Sequence, residues 1–196
     1  MSAVGWVVLG IVILVILIFI GIFAGGYNGL VNLRNQVKNA WAQIDVQLKR
    51  RHDLIPNLVE TVKGYKDYER ETLEAVVKAR NVAIQASSAG AGAAERAKAE
   101  GELSSALSRL MVVVERYPDL KANQNFLALQ EELTSTENKI SFSRQYYNDS
   151  VLRYNNKTQM FPSNILAGMF NFKASEFFQV TTEEEKQPPK VDFAKT

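Results

Sequence analysis

The chain has 196 residues, a net charge of +2, no cysteine and one histidine, His52. So small a surplus of Lys and Arg argues against nucleic acid as the main partner, because neutralising phosphates needs a basic excess. Without cysteine there is no disulfide, thiol nucleophile or thiolate metal site, and a lone histidine offers little for a His-based metal centre or a Ser-His-Asp triad. No cofactor, metal or enzymatic activity is expected.

The chain opens with a short tail, residues 1–3. From Val4 to Ala24 every residue is apolar or Gly, and the first charged side chain is Arg34. Twenty-one helical residues rise about 31 Å, the thickness of a bilayer's hydrocarbon core. A helix satisfies its own backbone there, as any lipid-embedded segment must. A cleaved signal sequence would carry a basic n-region and a shorter apolar stretch, so a retained anchor over 4–26 is expected. Gly25-Gly26 reads as a flexible joint. Arg34 and Lys38 come soon after the span, and the positive-inside rule then places the bundle in the cytoplasm, with the short tail outside.

Beyond the joint, Val37, Trp41, Ile44, Leu48, Ile55, Leu58, Val62 and Tyr65 recur at alternating spacings of four and three, with Arg51 filling one slot. That pattern is the seam of a bundle helix over 27–64. Pro56 inside it predicts a kink near Arg51 to Ile55. A second helix is expected over 67–86 and a third over 94–116, separated by the Ser/Ala/Gly turn at 87–92 and ended by Tyr117-Pro118. The fourth, 123–157, carries Phe126, Leu129, Leu133, Ile140, Tyr147, Val151 and Tyr154, with Thr136 and Ser143 as weak points.

No stretch alternates with period two, so the expected fold is all-α. It comprises an N-terminal transmembrane helix, an antiparallel bundle of four long helices over 27–160, and a short Phe-rich C-terminal helix. The first and fourth bundle helices, about 57 and 52 Å long, would carry the chain away from the bilayer and back. That return sets residues 161–180 near the membrane. Phe161, Ile165, Leu166, Met169, Phe170, Phe172, Phe177 and Phe178 are therefore candidates for the lipid interface, or for closing the open end of the bundle. Residues 181–196 read as a flexible tail in which Val191 and Phe193, within PPKVDF, could dock a partner.

Lys49-Arg50-Arg51-His52 looks like a lipid-binding basic patch, but it lies over 30 Å beyond Gly26 along the helix, whereas surface potential decays within about 8 Å. It is better read as a solvated face, or as a site for a protein partner or a neighbouring subunit through Lys49, Arg50 and Arg51. His52 reads as a surface histidine, Trp41 as core, and Glu131-Glu132 as a solvated pair. Asp45, Glu137 and Asn138 are placed to meet Arg80 or Arg144 inside the bundle, in a polar network that fixes helix register rather than a proton or metal site.

The strings themselves carry a resemblance. YNGLVNLRNQVKNAWAQIDVQLKRRHDLIPNLVETVKGY from Tyr27, YPDLKANQNFLALQEELTSTENKI from Tyr117, then Arg144, Tyr147-Asn148, Tyr154-Asn155 and the FPSN at Phe161 resemble the LemA family over nearly the whole chain. Tyr68 stands where relatives usually have His, and Lys139 where Arg is usual. The resemblance implies a single-pass bacterial inner-membrane protein with an antiparallel helical bundle and no defining enzymatic activity. The expected function is a membrane-anchored scaffold that assembles with its own copies. The competing expectation is an adaptor or regulator of a membrane protease or another envelope enzyme.

Overall fold

The computed structural model describes residues 3–64 and 70–179, and the side chains from residue 6 onward. Among the described residues six helices occur in order: α1 Ala3–Lys63, α2 Arg70–Ser88, α3 Ala93–Val114, α4 Pro118–Lys121, α5 Gln124–Gln159 and α6 Ser163–Met169. The fold is all-α, with no strand among the described residues. The chain divides into two compact units, residues 1–44 with 143–175, and 45–142 with 176–196.

In the first unit α1 and the C-terminal half of α5 run antiparallel. Trp41 meets the Tyr147 ring at 5.1 Å, while Tyr27, earlier in α1, meets Phe172, later in the chain. Leu30, Val37, Ala40 and Ile44 of α1 are buried, as are Tyr147, Val151 and Tyr154 of α5. Trp41 is half-buried at its edge. Over 6–22 the apolar side chains of α1 stay exposed all round, as those of a lipid-facing helix would.

Gly25-Gly26 is not a joint: α1 passes through it unbroken. Gly26 is there because α6 comes close. A Cβ on it would sit 2.6 Å from Leu166 Cδ1, whereas Gly25 has open space around it. Beyond α6, Asn171 turns the chain with φ 54°, in the left-handed region that Asn tolerates.

In the second unit the helices share one core, to which α4 adds Leu120. Ile55, Leu58 and Val62 of α1, Leu73 and Val76 of α2, Leu103 and Leu110 of α3, and Phe126 and Leu133 of α5 are all buried. Gly90, φ 68°, ends α2, and the Ala91 N–H donates to Ala86 O in a left-handed cap that reverses the chain into α3. Tyr117-Pro118, expected only as a break, also starts the single turn α4, with Leu120 buried. Asn123 then caps α5, its side-chain oxygen accepting from the Phe126 N–H at 3.1 Å.

Pro56 stands inside α1 and cannot donate to the carbonyl of His52 four residues back. Arg80 fills that vacancy from α2: its Nε donates to His52 O at 2.7 Å.

Candidate functional site

Two constellations stand out, one in each unit. The first grows from the slot at position 51. The α1 seam puts the side chain between Leu48 and Ile55 inward, and the residue there is an arginine only 2% exposed. A buried guanidinium must be compensated. Glu100 of α3, 5% exposed, supplies a carboxylate to Arg51 Nη2. Arg51 Nη1 donates to Ser104 Oγ at 2.8 Å and to Glu137 Oε2 of α5 at 2.6 Å. His52, also buried, sets Nε2 2.9 Å from the other Glu100 oxygen. Only Arg51 Nε is left without a partner in this cluster.

Burial by itself would push the Glu100 carboxyl up. The His52 hydrogen bond and the Arg51 guanidinium outweigh it, and hold the group below its ordinary 4.5. The result is a carboxylate kept ionised inside a helical core, braced by α1 and neutralised by its protein partners. Glu137, about half exposed, carries the cluster out to the surface. A cleft of about 200 Å³ opens there beside Ser104, Ser108 and Thr134.

These placements correct several sequence expectations. Arg51 is a core residue, so it is not a surface contact for a partner, and His52 is buried rather than exposed. Lys49 pairs with Asp53 at 3.0 Å on the same helix, and Arg50 with Glu132, so Glu131-Glu132 is not a uniformly solvated pair. Asp45 pairs with Arg96 of α3 rather than with Arg80 or Arg144. Arg80 serves the His52 carbonyl, Asn138 faces outward on α5, and Arg144 is half-buried in the other unit. Val191 and Phe193 lie outside the described residues.

Glu100, Ser104 and Arg96 were missed as members. The signal for Glu100 lay in extending the α3 seam backward from Leu103, which runs through Glu100, Ala97 and Ala93, all buried.

The second constellation is the Phe-rich segment. Phe170 meets Phe23 at 6.0 Å and Tyr27 at 4.8 Å between ring centroids, so the chain comes back to the last turn of the apolar run. Phe172 packs on Tyr27 and lies 4.9 Å under the Arg34 guanidinium. Beside it burial pushes the Tyr154 phenol up, with Arg34 opposing. Asn155 clamps the stretch beyond α6, its Nδ2 donating to Ser175 O and its Oδ1 accepting from Ser175 N, both at 2.9 Å.

The candidate interface residues divide. Leu166, Phe172 and Phe178 are buried and Phe177 is half-buried, whereas Phe161, Ile165, Met169 and Phe170 remain exposed. Among the described residues no group of three or more His, Cys, Asp or Glu is arranged to hold a metal ion.

The LemA family model matches residues 40–193. The chain belongs to the LemA family. Among its relatives, "Protein LemA" of Metamycoplasma hominis is 28% identical over 177 residues, 87% of this chain and 80% of that protein. The magnetosome protein MamQ of Magnetospirillum gryphiswaldense is 26% identical over 193 residues, 87% of this chain and 71% of its own length. MamQ 2 of Paramagnetospirillum magneticum, likewise a magnetosome protein, is 25% identical over 189 residues, 85% and 70% of the two chains. With an exposed apolar helix long enough to cross a membrane at its N-terminus, this LemA-family chain is membrane-associated.

Proposed function

We propose that this protein is a non-catalytic scaffold of the bacterial inner membrane, anchored by α1, which assembles with its own copies through the bundle. The observation that carries the reading is the outer face of α5 between Leu127 and Phe142. Leu127, Glu131, Thr134, Asn138, Lys139 and Phe142 line one shallow groove there. Phe142 is 73% exposed, a large apolar ring standing out from the surface of α5.

The order of these residues is self-complementary about the midpoint between Thr134 and Ser135. An antiparallel second copy of α5 would set Leu127 against Phe142, and Glu131 beside Lys139, at both ends alike. That is the arrangement an isologous two-fold contact requires. Small side chains at the centre let two helices approach closely. By contrast, the adaptor reading has lost Arg51 from its basic face, and Lys49 and Arg50 already have carboxylate partners.

Native mass spectrometry of the detergent-extracted full chain tests the proposal. Dimers or multiples of them are expected. Lys139→Glu should dissociate them by setting like charges together, and adding Glu131→Lys should restore them. A monomer at every concentration would overturn the reading.

A further inference from the structure

The half of the Phe-rich segment that the bundle does not use lies at one place in the fold. α6 presents Leu166 and Ala167 inward, with Leu166 against Gly26. Its opposite side carries Ile165 and Met169, one turn apart, and both are exposed. Met160 and Phe161 flank them, and Phe161 is 80% exposed. Phe170 joins this patch to the apolar span, because its ring sits against Phe23 in the span's last turn. Exposed apolar groups gathered into one patch mark a binding surface, whereas scattered ones do not.

The charge around the patch names the occupant. From Ser150 to Ser175 the sequence holds Arg153, Lys157 and Lys173 and no acid, and all three cations are exposed. Facing this stretch within the same unit, α1 contributes Arg34, which lies over the Phe172 ring, again with no acid before Asp45. A patch of Phe, Ile and Met rimmed by cations has the composition of an interfacial segment, with its apolar side in the acyl region and its Lys and Arg at anionic headgroups. Position agrees with composition. Val4 to Ala24 fills the hydrocarbon thickness, so Phe23 marks its edge, and Phe170 lies at the same depth.

We propose that Met160, Phe161, Ile165, Met169 and Phe170 form a second membrane contact, a monotopic foot inserted into the bilayer surface beside the transmembrane helix. The foot holds the unit upright: one helix alone can rotate and tilt, whereas a helix with a second insertion point beside it cannot. The foot forms within a single copy of the chain and does not depend on assembly through α5.

The absence of cysteine allows a direct test on the full chain. Single nitroxide labels at Phe161→Cys, Ile165→Cys and Met169→Cys are reconstituted into vesicles of zwitterionic lipid with a minority of anionic phosphatidylglycerol. Collision with oxygen, which partitions into acyl chains, is compared with collision with a water-soluble nickel chelate. Ala42→Cys, exposed on α1 about 24 Å beyond Gly26, is the aqueous reference. All three foot labels should show an oxygen-to-nickel ratio several-fold above that of Ala42→Cys. A ratio equal to the reference would overturn the proposal by placing the foot in water. Low access to both reagents with spin–spin broadening would overturn it in favour of a second copy.

Discussion

Replacing Glu100 by Gln keeps the shape of the buried network and removes one charge. Arg51 would then depend on Glu137, which is about half exposed and therefore partly screened, and on the Ser104 hydroxyl. Removing one partner of a buried pair costs about 3–5 kcal/mol, because the remaining charge stays desolvated. Glu137 still compensates Arg51 in part, so Glu100→Gln is expected near the lower end, about 3 kcal/mol, at pH 7. Guanidinium unfolding in a non-ionic micelle, followed by far-ultraviolet circular dichroism, measures it.

The pH dependence gives a second handle on the same residue. The folded carboxyl titrates below 4.5, so the unfolded chain takes up its proton first as pH falls. The stabilisation is therefore complete above about pH 4.5 and is lost as pH drops through the folded value. The gap between parent and Glu100→Gln should be widest at neutral pH and close in acid. Replacing the network together, Arg51→Met, His52→Leu, Glu100→Leu and Glu137→Gln, should recover much of the loss, since no buried charge or imidazole is then left without its partner. A Glu100→Gln variant within 1 kcal/mol of the parent (the scale of a surface pair), or a gap that ignores pH, would refute this account of the network.

Arg80→Met should cost about 1–3 kcal/mol by leaving the His52 carbonyl unpaired, and should cost much less in a Pro56→Ala background, where residue 56 regains its N–H. A double-mutant cycle without that coupling would contradict the role given to Arg80. Thr136 is fully buried and its hydroxyl has no partner, so Thr136→Val should raise stability by about 1 kcal/mol in the same unfolding assay. Gly26→Leu should push α6 away from α1, seen as a mobile nitroxide spectrum at Met169→Cys. Gly25→Leu, with open space around it, should leave that spectrum unchanged.

The helices were legible because their apolar spacings are long and regular. Val37, Ile44, Leu48, Ile55, Leu58 and Val62 read as a seam, and all are buried. The same seam contained the key to the ion network. Position 51 belonged to it by spacing, yet an arginine beside Lys49 and Arg50 reads as surface by composition. Periodicity decides such a conflict when a carboxylate on another helix can meet the charge, and that partner is invisible until α3 is in register. His52, next in the chain, is buried for the same reason, with Glu100 as its partner.

Gly25-Gly26 failed differently. Glycine serves both flexibility and close approach, and only the presence of Leu166 against Gly26 tells them apart. The Phe-rich segment was legible as a group, whereas its division into buried and exposed members needed the turn geometry of α6.

Self-assembly through α5 meets its most direct test at the centre of the proposed two-fold axis. A single Thr134→Cys, in a chain with no other cysteine, lies next to its own symmetry mate if two α5 helices cross there, within the Cα separation of about 7 Å that a disulfide tolerates. Mild oxidation of the full chain in membranes should give a covalent dimer at Thr134→Cys, and none at Ala42→Cys, which is exposed on α1. Failure of Thr134→Cys to cross-link, or equal cross-linking at Ala42→Cys, would contradict the account.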